Sequence, residues 1–152
     1  MKQFSIIIPV YNAEAYLEEC VDSCYKQDFD EVDFEVILIN DGSTDNSLAL
    51  MNDLALKHDN IVCVSQTNKG QGCVRNRAIG MAKGKYLFFC DSDDRFIEHS
   101  LAKIIRLMEN YSLEICCSMG KVYDAEGNSS LGWFQHLPLF VVYDGNDAIL
   151  NG

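Results

Sequence analysis

Short apolar runs alternate with longer amphipathic stretches along the first hundred residues of the chain. Four of the runs lack strict alternation of apolar and polar residues, which is typical of parallel strands covered on both faces. They comprise residues 4–10, 34–39, 61–64 and 86–90. Successive runs begin roughly 24 to 30 residues apart, which is the spacing of repeated β-α-β units. The pattern predicts an α/β domain with a mostly parallel, Rossmann-like central sheet and helices on both faces.

The stretches between the runs predict helices, because their apolar residues recur on one face. The first helix carries Leu17, Cys20 and Val21 on that face, and a fourth helix is predicted over residues 101–108. Asn12 is placed to cap the first helix, and one of Ser43, Thr44 or Asp45 the second. Weaker patterns later in the chain predict strands at 113–119, 121–123 and 139–143, a turn-rich connection at 124–130 and a helix start at 144.

Composition places the chain among ordinary globular proteins. Its 152 residues, of which 48% are hydrophobic and 23% charged, suit one domain spanning residues 1–152. The net charge of −11 leaves no basic surface to hold nucleic acid or anionic lipid. If the ligand is itself an anion, a cation is needed to help hold it.

Cysteine usage and the absence of long apolar segments predict a cytoplasmic chain. The seven cysteines form no CxxC pair, and most lie inside apolar runs, where a thiol behaves as a small hydrophobic side chain. The N-terminal apolar run is too short for a signal peptide. No stretch approaches the ~20 apolar residues of a membrane span.

Polar loops follow each of the four predicted strands, at residues 9–12, 40–45, 68–72 and 91–94. In an open α/β sheet, ligands bind beyond the carboxyl ends of the strands, so these loops are expected to converge. The fourth loop crowds Asp91, Asp93 and Asp94 behind an apolar strand. At ~4 Å two such charges repel by roughly 1 kcal/mol in water and about 4 kcal/mol near a protein surface. The arrangement therefore calls for a positively charged partner.

Three enzymatic interpretations of these loops remain open on the residues alone. A dinucleotide site would use Gly70 and Gly72, but Arg75 stands where the third glycine belongs. A phosphatase of the haloacid dehalogenase type would use Asp91 as nucleophile and Asp93 as acid and base, although that motif normally follows the first strand. In the third interpretation the acids hold Mg²⁺ or Mn²⁺, whose remaining ligands are the oxygens of a bound diphosphate.

Three segments resemble the family 2 glycosyltransferases with the GT-A fold. They are SIIIPVYNAEAYLEECVDSC, VILINDGSTDNS and NKGQGCVRNRAIGMAKGKYLFFCDSDD, and the resemblance extends from residue 4 to about residue 108. It implies the inverting transfer of a sugar from a nucleotide-sugar, commonly a UDP-sugar, to a hydroxyl acceptor on a glycan, a lipid carrier or another molecule. Such enzymes act in the synthesis of cell-surface polysaccharides and glycans, and a peripheral association with the inner face of the membrane is compatible with this role.

The resemblance also implies the base-binding side of the donor site. Pro9, Val10 and Tyr11 match the residues that line the base pocket, and Asp41 matches the acid that bonds the uracil ring. Because Asp41 ends a strand and enters a polar loop, we expect it to be partly exposed.

On the diphosphate side, the resemblance places the loop from Gly70 to Arg75 over the nucleotide. The DxD pair of ribose and metal contacts is matched by Asp91 and Asp93, with Ser92 between them, and Asp94 is a further candidate for the metal. The implied cofactor is Mn²⁺ or Mg²⁺.

The general base is not identified by the sequence. In this family an Asp or Glu beyond the DxD motif takes the proton of the acceptor, and no acid after Asp94 stands in a clear base motif. We therefore expect the chain to be truncated on its acceptor side, with the base beyond Gly152. The alternative is a module that binds the nucleotide-sugar without turnover.

Overall fold

The computed structural model describes residues 2–116, 121–123 and 129–131. The chain divides into two compact units, Met1–Ile105 and Arg106–Gly152. The first unit contains alternating strands and helices: β1 Lys2–Val10, α1 Leu17–Cys24, β2 Phe34–Asp41, α2 Ser47–Lys57, β3 Ile61–Gln66, α3 Gln71–Met81 and β4 Gly84–Phe89. Helix α4 spans Ser100–Tyr111, and in the second unit β5 (Lys121–Tyr123) pairs antiparallel with β6 (Ser129–Leu131).

The four strands of the first unit form one parallel sheet in the order β3-β2-β1-β4. Ile7 at the centre of β1 lies opposite Ile37 of β2 on one side and Phe89 of β4 on the other. The chain thus builds outward from β1 to β3 and then crosses to the opposite side of β1. The predicted parallel α/β architecture is confirmed, and the strand order reverses between β1 and β4, where such sheets bind ligands.

Apolar side chains cover both faces of this sheet. On one face a cluster of aromatic rings surrounds Phe4, which stacks on Phe34 with ring centroids 5.1 Å apart. Helices α1, α2 and α4 pack on this face through buried residues that include Leu17, Met51 and Leu101. On the other face Val74 and Ala78 of α3 pack on isoleucines of β1 and β2. Burial on both faces explains why β1 and β2 read as continuous apolar runs. The expectation that β4 is covered on both faces is wrong, because Leu87 and Phe89 on one face of this strand are exposed.

A buried polar cluster joins the strands at the amino end of the sheet. Ser5 donates its hydroxyl to Glu35 Oε1 over 2.7 Å, and the backbone N–H of Lys83 donates to the same oxygen over 2.6 Å. Gly84 begins β4 beside them, and a Cβ at this position would lie 2.3 Å from the backbone of Phe4 and Ser5. A residue without a side chain is therefore required for β4 to join β1 here.

The predicted strand at 113–119 is wrong for residues 113–116, which are not in a strand. Ser112 adopts a left-handed conformation with φ of 52°, and the N–H of Leu113 donates to the carbonyl of Met108 over 2.8 Å. This conformation and hydrogen bond are typical of a helix C-terminus. The apolar residues that follow therefore come after the end of α4 and do not start a strand. The strand at 121–123 is confirmed, whereas Ser129 and Ser130 belong to β6 and not to a connecting turn.

The predicted strand at 139–143 and the helix start at 144 lie outside the described residues. Within the part of the chain that the structure describes, no helix combines the length and apolar character needed to cross a membrane.

Candidate functional site

A cavity of about 440 Å³ opens in the first unit beyond the carboxyl ends of the strands. Eight residues that the sequence assigned to the site line it: Pro9, Val10, Tyr11, Asp41, Gly70, Asp91, Ser92 and Asp93. Arg75 and Asp94, which were also assigned to it, do not line the cavity. The lining further includes Asn12, Asn68, Gln71 and Val74, which lie in the loops that the sequence placed at the site, and Ala13 and Tyr16, which the sequence analysis did not place there.

The loop after β1 is fastened to the loop after β2 through Asn12. The N–H of Asn12 donates to Ser43 Oγ over 3.0 Å, and its side-chain Oδ1 accepts from the N–H of Thr44 over 2.8 Å. Asn12 has a φ of 49°, a left-handed conformation that asparagine tolerates better than most residues. The prediction that Asn12 caps α1 is therefore wrong, because its side chain bonds across to the neighbouring loop.

Asp45 strengthens the same junction. Its Oδ1 accepts from the N–H of Ser47, the first residue of α2, over 3.0 Å, and its Oδ2 accepts from the N–H of Glu14 over 3.1 Å. Burial by itself would raise the pKa of Asp45, but the hydrogen bonds from Ser47 and Glu14 outweigh it and hold the pKa below its usual range. Of the three residues proposed to cap α2, Asp45 is the one that bonds its first N–H.

Asp41 is more buried than its position at a strand end suggested, with only 4% of its surface exposed. Its Oδ1 accepts from Gln66 Nε2 over 2.8 Å and from the N–H of Lys69 over 2.9 Å, and its Oδ2 accepts from the N–H of Gly70 over 2.8 Å. The expectation of partial exposure is wrong, because the loop between β3 and α3 folds over the carboxylate. Burial tends to raise the pKa of Asp41, yet these hydrogen bonds lower it overall.

Two glycines allow that loop to close on Asp41. Gly42 has a φ of +75°, and a Cβ there would lie 2.9 Å from the backbone nitrogen of Asn68. Gly70 has a φ of +84° and immediately precedes α3. Since a residue with a side chain is strained in this conformation, both positions favour glycine.

Asp91 is held from α3 by two side chains one turn apart. Its Oδ1 accepts from Arg75 Nη2 over 2.6 Å and from Gln71 Nε2 over 2.9 Å. The Nε of Arg75 is buried and has no hydrogen-bond partner among the described residues. Arg75 thus contacts the site through the carboxylate of Asp91, and the Nε–H of its guanidinium remains available as a hydrogen-bond donor.

Asp93 and Asp94 complete the acidic loop. The N–H of Asp94 donates to the carbonyl of Asp91 over 2.9 Å, which tightens the turn. Partial burial and then the charges of Asp93 and Asp91 raise the pKa of Asp94. Nowhere among the described residues do three or more His, Cys, Asp or Glu side chains form a group able to hold a metal by itself. A divalent ion at this loop would therefore need further ligands from a bound molecule or from water.

Two buried thiols support the acidic loop from the core. The Sγ atoms of Cys20 in α1 and Cys90 at the end of β4 lie 3.9 Å apart, and Cys20 Sγ also lies 3.5 Å from the carbonyl oxygen of Asp91. The contact with Cys20, followed by burial, raises the pKa of the Cys90 thiol. The Cys90 thiol therefore acts as a neutral packing group, and Cys20 packs beside it in the core, as the sequence predicted for most of the cysteines.

This chain has the GT-A fold of glycosyltransferases, with a parallel sheet, helices on both of its faces and a cavity where the strand order reverses. The chain belongs to glycosyl transferase family 2, whose sequence model matches residues 5–143. The resemblance noted from the motifs is thereby confirmed, and the dinucleotide and phosphatase interpretations lose their basis.

Similar proteins come from several organisms. The poly(ribitol-phosphate) beta-glucosyltransferase of Bacillus spizizenii is 37% identical over 127 residues, which cover 82% of this chain and 20% of that protein. TarS residues 1–349 of Staphylococcus aureus, solved in complex with UDP-GlcNAc, has a TM-score of 0.67 at 36% identity, covering 74% of this chain and 32% of that one. The mannosyltransferase PcManGT of Pyrobaculum calidifontis, solved with GDP-Man and Mn²⁺, has a TM-score of 0.65 at 25% identity, covering 70% and 32%. The chain thus spans between a fifth and a third of the length of these relatives.

Proposed function

We propose that this chain is the donor-binding part of an enzyme that transfers a sugar, with inversion, from a UDP-sugar to a hydroxyl acceptor in polysaccharide or glycan synthesis. The observation that carries the proposal is that one cavity brings Tyr11, Asp41 and Asp93 together at the switch point of a parallel sheet. Its volume of about 440 Å³ falls within the range of small-molecule sites. The relatives solved with UDP-GlcNAc and GDP-Man support a nucleotide-sugar as the ligand.

The base would bind between the loop after β1 and the buried acid after β2. Tyr11 is 53% exposed and lines the cavity, so its ring is available to stack on a flat base. A carboxylate can accept about four hydrogen bonds, and the protein supplies three of them to Asp41. The remaining acceptor position suits the ring N–H of uracil.

The diphosphate would bind beside the acidic loop together with a divalent ion. Asp91 and Asp93 offer hard carboxylate oxygens to Mn²⁺ or Mg²⁺, with Asp94 next to them. The pKa of Asp94 is raised by partial burial and then by the charges of Asp93 and Asp91, and this crowding of like charges fits a site completed by a cation. When bound, such an ion neutralises the diphosphate and stabilises it as a leaving group. The net charge of −11 makes this compensation necessary.

The side chains of the chain itself bind and orient the donor. Gln71 and Arg75 hold the Asp91 carboxylate in place, and Arg75 also puts a positive charge beside the expected position of the diphosphate. Inversion further requires a carboxylate that takes the proton of the acceptor hydroxyl. Among the described residues the acids that line the cavity are Asp41, Asp91 and Asp93, and each has a donor-side role. We therefore propose that the general base is a carboxylate other than these three cavity-lining acids.

Nucleotide selectivity tests this assignment of the base pocket. We expect UDP in Mn²⁺ to raise the thermal unfolding temperature of the chain more than GDP or ADP does, because Asp41 offers one acceptor to a single-ring base that carries an N–H. The Asp41→Asn variant should lose most of the preference for UDP, since the amide nitrogen cannot accept the N–H. Equal stabilisation by the three nucleotides in the wild-type protein would contradict the assignment.

A further inference from the structure

Three polar side chains form a line that leads from α3 to the base-binding acid. Arg77 Nη1 donates to Gln66 Oε1 over 3.0 Å, and Gln66 Nε2 donates to Asp41 Oδ1 over 2.8 Å. Gln66 is the last residue of β3 and lies directly opposite Asp41, the last residue of β2, in the parallel register. The line thus joins a helix and two strands at the carboxyl edge of the sheet.

The chemistry of the two ends fixes the orientation of the amide between them. The guanidinium of Arg77 can only donate hydrogen bonds, and an ionised carboxylate such as Asp41 can only accept them. Gln66 satisfies both neighbours in one orientation alone, with its oxygen towards Arg77 and its nitrogen towards Asp41. If Arg77 did not hold the amide oxygen, the side chain of Gln66 could flip or leave and place an oxygen against the carboxylate.

The orientation of Gln66 in turn decides which acceptor positions of Asp41 remain. Oδ1 already accepts from Gln66 and from the N–H of Lys69, so that oxygen is fully used. Oδ2 accepts only from the N–H of Gly70. Two donors on one oxygen prevent the carboxylate from rotating, which leaves the open acceptor position of Oδ2 in a fixed direction.

We propose that Gln66 and Arg77 are positioning residues for base recognition, acting as a relay in which Arg77 orients the Gln66 amide and Gln66 orients the Asp41 carboxylate towards the pyrimidine ring of the donor. The relay deepens the proposed function and rests on it as far as the ligand is concerned. Neither Gln66 nor Arg77 lines the cavity, so both are expected to act only through Asp41.

The main competing explanation is that Arg77 acts through its charge. Lys69 is a cation whose charge bears on Asp41 directly and favours its ionised form. Arg77 could do the same over a longer distance without any relay. A double-mutant cycle separates the two explanations, because a relay has no effect once Gln66 is removed, whereas a charge effect persists.

The first experiment measures the pKa of the Asp41 carboxyl by NMR titration of its side-chain ¹³C signal. Replacing Gln66 by leucine should raise this pKa by about 0.5 to 1, the equivalent of one lost hydrogen bond. Arg77→Met should raise it by part of that amount, and Arg77→Lys, which keeps a donor, should match the wild type. The variant that combines Gln66→Leu and Arg77→Met should match Gln66→Leu alone. An unchanged pKa in Arg77→Met, or additive effects in the double variant, would overturn the relay.

The second experiment measures binding of UDP and of 3-methyl-UDP, which lacks the ring N–H, by calorimetry in Mn²⁺. Arg77→Met should weaken UDP binding by about 3- to 10-fold and bind 3-methyl-UDP as the wild type does, so that the ratio of the two affinities falls. Arg77→Lys should preserve the ratio. Because Arg77 is exposed, the fold should be retained, which thermal unfolding checks.

The two experiments separate the relay from the proposed function. If the wild-type protein binds no UDP while the pKa values follow the predicted order, the relay stands and the proposed ligand is wrong. If the wild type discriminates UDP from 3-methyl-UDP and Arg77→Met does so equally well, the relay is overturned and the proposed ligand stands.

Discussion

Replacing Asp93 by asparagine should weaken the binding of UDP in the presence of Mn²⁺ by ~1–3 kcal/mol, or about 5- to 150-fold. Asp93 is exposed, lines the cavity and follows the strand that ends beside β1. Asparagine keeps the size of the side chain but lacks the negative charge that attracts a divalent ion. Isothermal titration calorimetry with saturating Mn²⁺ measures the difference.

Asp53→Asn is the matched control, because Asp53 is exposed on α2 and the substitution changes the net charge of the chain by the same amount. We expect this variant to bind UDP as the wild type does. If both variants changed UDP affinity equally, the effect would be one of overall charge and Asp93 would have no place in a metal site. In EDTA the difference between Asp93→Asn and the wild type should disappear.

Replacing Phe4 by alanine should lower the free energy of unfolding by ~3–5 kcal/mol. Phe4 is fully buried and is the hub of the aromatic cluster, with ring centroids 5.1 Å from Phe34, 4.8 Å from Phe29 and 5.6 Å from Phe88. The substitution removes all three ring contacts at once. Because β1 lies between β2 and β4, the neighbouring side chains have little freedom to move into the cavity that remains. Urea unfolding followed by circular dichroism measures the loss.

Leu56→Ala serves as the control for that prediction, since Leu56 is 87% exposed on α2. We expect a change within about 0.5 kcal/mol, as for most surface substitutions. A loss in Phe4→Ala no larger than this would mean that the aromatic cluster does not anchor the sheet.

The sheet could be predicted from the sequence because burial on both faces leaves a direct trace. Residues 34–41 of β2 are all buried, and residues 36–39 at its centre form an unbroken apolar run. Because the strands are parallel, the four polar loops that follow them lie at one edge of the sheet. The loops that form the candidate site could therefore be predicted from their positions in the sequence. Gly70, Asp91 and Asp93, which line the cavity, lie in two of these loops, whereas Asp94 in the same loop does not line it.

The environment of single side chains was harder to predict, because it depends on contacts between residues far apart in the chain. Asp41 is covered by a loop that begins about 25 residues later, and Asn12 bonds to a loop about 30 residues away. Neither contact has a local signature. Gly42 has a φ of +75°, which brings the backbone close to Asn68. This glycine was the one sequence signal that could have indicated that the later loop covers Asp41.

Arg75 illustrates a second limit. Its type and place indicated a charged contact in the site, but the side chain bonds to Asp91 and does not line the cavity. A sequence shows that a cation and an acid are present near one edge, whereas the choice between pairing with each other and facing the ligand depends on helix orientation. The apolar residues after α4 were wrongly predicted to form a strand for a related reason. The turn at Ser112 contains no proline or glycine that would indicate the end of the helix.

The most direct test of the central claim is a calorimetric titration of UDP into the 152-residue chain, once with Mn²⁺ and once with EDTA. The cavity joins a base-binding side to an acidic side, and a diphosphate should reach the acidic side only with a divalent ion between them. We therefore predict clear binding in Mn²⁺ and at least a tenfold loss in EDTA, equivalent to about 1.4 kcal/mol. Equal affinity in the two conditions, or no binding in either, would contradict the account.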